Sequence, residues 1–338
     1  MGKTSYDQIK HLFPVTLHEK EDFLDGLKRV LKEYYEIIKK TGNDDSLLNS
    51  CFMMNQQIIS IIRNMRKGKH STAYIQLNNI FKQPKYGLNK EKCTRRESSI
   101  FYRMRIIEDR RNVDRRSLFH IPFDMRDKVT TERYSFPGLP CLYLGKSLYV
   151  CWEEMNRPSF PQIMISAFKP TRELNLLDLC TPSPSRWKDM DKRLIPLILS
   201  CQVVVRDKKA IYKSEYIVPQ LIMEYIITSS EYDGVIYSSV HGDNQFFYPS
   251  DKSHNIAIPA IQDMRDDRFS SKLIDLFEIT EPTCEEYERM NCHIGFFEKS
   301  TAGVIQNRNY ENSIFNDLER VLKDRDLFHF SSINLNNH

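Results

Sequence analysis

No two cysteines in the 338-residue sequence stand at CxxC spacing, so neither a zinc ribbon nor a thioredoxin-like dithiol is expected. No run of about 18 or more apolar residues occurs, and no spanning helix is expected. A GxGxxG dinucleotide fingerprint is absent; the isolated Gly138 and Gly145 read as turn residues. There is no internal repeat and no low-complexity tract. The opening MGKTSYDQIK lacks the apolar core of a signal peptide, and Tyr6 stands where a myristoylation signal needs Ser or Thr. A cytoplasmic location is therefore expected. Charge of one sign is also scarce. Forty-nine Lys and Arg against 45 Asp and Glu leave a net charge of +4, so neither nucleic acid nor membrane is expected as a partner.

What is present is an ordinary globular composition, 41% hydrophobic and 28% charged, in a chain too long for one compact core. Eight cysteines, at 51, 93, 141, 151, 180, 201, 284 and 292, read as buried free thiols in a reducing compartment. The run Asn291-Cys292-His293 has no partners at ligand spacing, and no metal is expected.

The first ninety or so residues are helical in pattern. EDFLDGLKRVLKEYYEIIKK (21–40) carries Phe23, Leu24, Leu27, Val30, Leu31, Tyr34, Tyr35 and Ile38 at helical spacing, with acids leading and lysines trailing. A second helix follows TGNDDS, with Ser46 as its expected cap, and a third lies near 71–82, stopping before Pro84. These stripes read as core. They are too wide for one small bundle, so the surplus is expected to meet the rest of the chain, a second copy or a regulator. Residues 83–98 read as a polar linker.

Period-two patterns then take over. Strands are expected over 99–107, 140–145, 162–168, 174–179, 234–239, 255–260 and 277–280. Between them lie helical pieces at 147–155, at 187–203 with a break at Pro196, at 219–228 and finally at 310–326. Short strands with few regular crossover helices argue for α+β. The expected organisation is a helical domain over 1–92, a catalytic domain over 93–265 and an extension with a strand and a helix over 266–338. Eight arginines against four acids between 95 and 116 read mostly as a solvated face. Arg103 is the exception. It sits inside a strand between aromatics, where a charge should meet an anion.

The order Tyr102-Arg103, RYSFPG, LYLGKS and CWEE, then EYIVPQLIMEYI, YDGVIYSSV and NIAIPA, resembles the RES-domain family over about residues 99–260. The resemblance implies an ADP-ribosyltransferase-like split β-sandwich with surrounding helices, here with an added N-terminal helical domain. It implies NAD⁺ as substrate, consumed by hydrolysis or by phosphorolysis with phosphate, as in bacterial toxins of the family, and an antitoxin or other regulatory partner. The N-terminal helices would then be an oligomerising or sensing unit. Carried over position by position, the strand arginine is Arg103, the second arginine Arg133, the tyrosine Tyr143, the acid Glu154 and the serine Ser239. Ser238 replaces the usual proline and competes with Ser239 for the role. The family's Arg-Trp-Asn stands here as Arg133-Tyr134-Ser135.

The chemistry calls for these residue types. Arginines bind pyrophosphate oxygens in a bidentate way. Nicotinamide leaves without needing a proton, so one carboxylate suffices to stabilise the oxocarbenium-like centre and orient the attacking group. An aromatic ring stacks on the nicotinamide, and a serine hydroxyl ligates a phosphate or the amide. Glu153 and Glu154 lie about 100° apart on a helix, so one faces the site, and spacing favours Glu154. His241 is a lesser candidate for phosphate contact or base, and Gln220 is expected to cap or pack. Two other functions remain open: a protein ADP-ribosyltransferase using the same site, and a catalytically inert NAD- or partner-binding module.

Overall fold

A computed structural model describes residues 5–42, 44–107, 113–159, 163–241, 251–264, 267–284 and 310–329. Along the chain run α1 (Ser5–Ile9), α2 (Phe23–Lys40), α3 (Asp45–Arg66), α4 (His70–Lys82), β1 (Thr94–Glu97) and β2 (Phe101–Ile106). Next come β3 (Cys141–Gly145), α5 (Leu148–Glu154), β4 (Ile163–Pro170), β5 (Leu174–Leu179), α6 (Ile195–Cys201) and α7 (Ile217–Ser229). The remainder are β6 (Gly234–Ser238), β7 (His254–Pro259), α8 (Ser271–Leu276), β8 (Phe277–Ile279), α9 (Ile314–Lys323) and β9 (Phe328–His329). The class is α+β, as the pattern indicates. The polar stretch at 83–98 does more than link, because it contains β1. Among the described residues no helix is long and apolar enough to cross a membrane.

Contacts divide the chain into two units. The first comprises residues 1–95, 129–138 and 175–240, so the N-terminal helices share a unit with α6, α7 and the parallel pair β5–β6. Part of their apolar surface is buried there, while Phe52 and Ile75 stay exposed. The Tyr34 hydroxyl, on α2, donates to the Lys192 carbonyl at 2.8 Å, and Phe81, on α4, stacks on Tyr225 of α7 with ring centroids 4.4 Å apart. The cap of α3 is Asp44. Its carboxylate accepts from the Leu47 amide at 2.6 Å, whereas the expected Ser46 already lies inside the first turn. Pro196 likewise starts a helix instead of breaking one. A short turn over Lys192–Leu194 precedes α6, and in its first turn the missing proline N–H has no partner to lose.

The second unit comprises residues 96–128, 139–174 and 241–338. Its strands form an antiparallel array in the order β7-β3-β2-β4-β8-β9. Tyr102 and Met104 of β2 and Ile163, Ile165 and Ala167 of β4 face one way. They pack with Tyr149 and Trp152 of α5 and Phe315, Leu318 and Leu322 of α9. On the opposite face Leu118 and Met164 meet Cys284. His120 lies fully buried between the rings of Phe119, Phe123 and Phe269.

Candidate active site

Strand β3 ends at Gly145, and the chain turns at once into α5. Ser147 caps that helix, its hydroxyl accepting from the Val150 amide at 3.0 Å and donating to the Lys252 carbonyl at 2.6 Å. Glycine is required at 145 because α5 closes directly over it. A Cβ there would stand 2.6 Å from Val150 Cγ1 and 2.7 Å from Cys151 Sγ. The Cα–Cβ direction of Gly145 thus points into α5, and Tyr143, two residues earlier, projects from the same face.

The two acids at the end of α5 have different fates. Glu153 is buried, and the Arg157 guanidinium grips it at 2.9–3.1 Å. Arg157 reaches back because Asn156 and Arg157 take left-handed φ values of 60° and 56°, and its guanidinium rests on the Trp152 ring. Glu154 is 31% exposed. One carboxylate oxygen accepts from Asn255 Nδ2 at 2.8 Å, and the other lies 3.6 Å from His241 Nε2. Asn255 pairs with Gly145 across β7–β3, and Tyr143 pairs with Ala257. Tyr143, Glu154, Asn255 and His241 therefore gather on one side of the sheet.

Arg103 belongs to the other side. Its neighbours Tyr102 and Met104 face α5, so its own Cβ points away, paired with Ser166 of β4. The guanidinium donates to the Tyr143 carbonyl at 2.9 Å. Its Nε is buried with no hydrogen-bond partner, and so is the Ser166 hydroxyl. Burial, reinforced by nearby Arg105, lowers the Arg103 pKa to about 9. Among the described residues neither Arg103 nor Arg105 has a carboxylate partner; Arg105 donates to the Ser117 carbonyl at 2.7 Å. A half-buried arginine with an orphan donor and, among the described residues, no carboxylate partner is a setting that suits an anion.

Arg133 and Ser239 lie in the first unit. The Arg133 guanidinium is buried against the Tyr216 ring and donates to the carbonyls of Cys201 at 2.7 Å and Val203 at 3.2 Å. Gln220 packs as expected, its amide donating to the carbonyls of Glu132 and Ser135 at 3.1 and 3.0 Å. Arg133 and Gln220 together fasten segment 129–138 onto this unit. The Ser238 hydroxyl is engaged with Thr181 at 2.9 Å, and Ser239 is buried beside it. Among the described residues no cluster of His, Cys, Asp and Glu could hold a metal ion, and Asn291-Cys292-His293 lies outside them.

Sequence reasoning missed Asn255 and Ser166, which reach the site only through strand pairing. The pairing of Glu153 with Arg157 was not legible either, because α5 ends at Glu154 and Arg157 reaches back through left-handed backbone.

Residues 104–269 match the model of the RES domain. Over that stretch, just under half of its length, the chain carries a RES domain. A protein named "Putative toxin YopC", from Bacillus subtilis (strain 168), is 31% identical to it over 300 residues, 78% of this chain and 66% of that protein. The chain thus spans just under two thirds of that relative's length. No solved structure matches it.

Proposed function

We propose that the protein is a toxin-like enzyme that consumes NAD⁺ by breaking the bond between ribose C1′ and the nicotinamide nitrogen. The observation that carries this reading is Glu154: a part-exposed carboxylate held by Asn255, with His241 3.6 Å away, beside a Glu153 that is ion-paired to Arg157. Its setting is the family's ADP-ribosyltransferase-like split β-sandwich. The electron pair of the C1′–N bond passes to the cationic nicotinamide ring, which leaves neutral. The Glu154 carboxylate stabilises the positive charge left on the ribose. A water or phosphate oxygen then bonds to C1′, and with water the released proton passes to Glu154 or His241.

Tyr143 is assigned the nicotinamide ring. Arg103 is assigned the pyrophosphate, as the family resemblance implies; its Nε is buried without a hydrogen-bond partner, and among the described residues it has no carboxylate partner. Arg103 lies on the face opposite Tyr143 and Glu154, so its assignment stands or falls separately, by calorimetry on Arg103→Ala. Arg133 holds segment 129–138 within the first unit, and Ser239 is buried in that same unit. A cytoplasmic location and an antitoxin-like partner follow from the same reading.

The test is mass spectrometry of NAD⁺ products with and without phosphate. Free ADP-ribose indicates hydrolysis, and its 1″-phosphate indicates phosphorolysis. Label appearing only on an added protein would favour ADP-ribosyl transfer. Glu154→Gln is expected to lower turnover by on the order of 100-fold or more while the fold is retained. Full activity in that variant sinks the assignment, and absence of any NAD⁺ binding or turnover in the unaltered protein sinks the reading.

A further inference from the structure

The carboxylate of Glu319 is fully buried on α9, a helix outside the stretch that matches the RES domain. A buried carboxylate is costly unless its oxygens are bonded, and here each is. Oε1 accepts the amide of Leu148, the first residue of α5, at 2.9 Å, and the Tyr310 hydroxyl also donates to it. Oε2 accepts from Lys252 Nζ at 2.8 Å. Lys252 lies in the turn Asp251–Ser253 that enters β7, three residues before Asn255, and its carbonyl receives the Ser147 hydroxyl. One carboxylate therefore joins the start of the helix that ends in Glu154 to the start of the strand that carries Asn255. Phe315, Leu318 and Leu322 of α9 seal the contact against Tyr149 and Trp152.

We propose that Glu319 is a positioning residue for Glu154, and that α9 is a working part of the active site. The catalytic side of this proposal rests on the NAD⁺-cleaving function above; the ordering of α5 does not. Without Glu319 the Leu148 amide and the Lys252 ammonium lose their shared partner. The two segments can then shift against each other, and the Asn255–Glu154 bond loosens.

The test uses the full chain with Glu319→Ala and Glu319→Gln, read by amide hydrogen exchange and by steady-state NAD⁺ cleavage. In Glu319→Ala the amides of α5 are expected to exchange on the order of tenfold faster, with those of α2 unchanged. The kcat should fall by on the order of tenfold, with KM changing by less than about threefold, since the loss lies in orientation and not in binding. Glu319→Gln keeps an acceptor for Leu148 and should fall between. Unchanged α5 exchange in Glu319→Ala, or exchange raised equally throughout the second unit, overturns the proposal, as does an unchanged kcat. If Glu319→Ala does not fold, Glu319→Gln decides: faster α5 exchange than in the unaltered protein supports the proposal, and equal exchange overturns it. If the unaltered chain does not cleave NAD⁺, the functional reading fails by itself and the exchange data alone decide the role of Glu319.

Discussion

Adding one methyl group at Gly145 should displace the helix that carries Glu154. In Gly145→Ala the new Cβ would lie 2.6 Å from Val150 Cγ1, 2.7 Å from Cys151 Sγ and 3.1 Å from the Ser147 carbonyl oxygen. Ordinary contacts of this kind begin near 3.4 Å, so α5 must retreat by roughly 0.8 Å or its side chains must leave their rotamers. Overpacking of this sort costs about 1–3 kcal/mol. At about 2–4 °C per kcal/mol for a body of this size, Tm should fall by about 2–12 °C. Because Glu154 sits at the far end of α5, NAD⁺ cleavage should fall further than stability does. Thermal unfolding and turnover are the assays, and Val150→Ala supplies the control. Alone it destabilises by opening a cavity. Combined with Gly145→Ala it removes the worst clash, so the pair should cost less than the sum of the single changes by at least about 0.5 kcal/mol. Strict additivity, or an unchanged Tm in Gly145→Ala, would refute the reasoning that glycine is needed for the close approach of α5.

Arg133→Ala leaves the buried carbonyls of Cys201 and Val203 without their guanidinium donor, and stability measured by denaturant should drop by about 1–3 kcal/mol. Arg103→Ala should weaken NAD⁺ binding in calorimetry by roughly 1.5–3 kcal/mol, and an unchanged affinity would remove Arg103 from the substrate site. His120 donates through Nδ1 to the Ile121 carbonyl and accepts at Nε2 from the Ser270 amide, and burial, with Arg103 and Arg126 nearby, lowers its pKa to about 4. The unfolded chain therefore binds the extra proton between about pH 6.5 and 4, and stability should fall by up to about 3 kcal/mol as the pH drops through that window. A variant His120→Gln should flatten that part of the pH–stability curve.

Local pattern carried most of the secondary structure. Each strand expected between 99 and 280 is present within a residue or two; most are short apolar runs buried on both faces and bounded by polar or turn residues. Local chemistry misled where two signals competed. Asp44 and Ser46 are both good caps, and only the backbone angles settle which residue precedes the helix. Pro196 interrupts a helical pattern, but whether it breaks a helix or begins one depends on the turn before it. The site was legible as a row of residue types and not as a geometry. The pleat that sets Arg103 and Tyr143 on opposite faces, and the register that gives Glu154 its amide donor, are non-local facts.

The packing of the N-terminal helices has a consequence for the order of events at the ribosome. Tyr34 finds its carbonyl partner 158 residues later in the chain. At about 5–20 residues per second, roughly 8–30 s of synthesis separate the two. During that interval the apolar stripes of α2 and α4 have formed without the α6 and α7 surfaces that will cover them. A nascent chain of this protein is thus sticky for far longer than a folded one, and slowing translation between residues 82 and 192 should raise its aggregation and its dependence on chaperones.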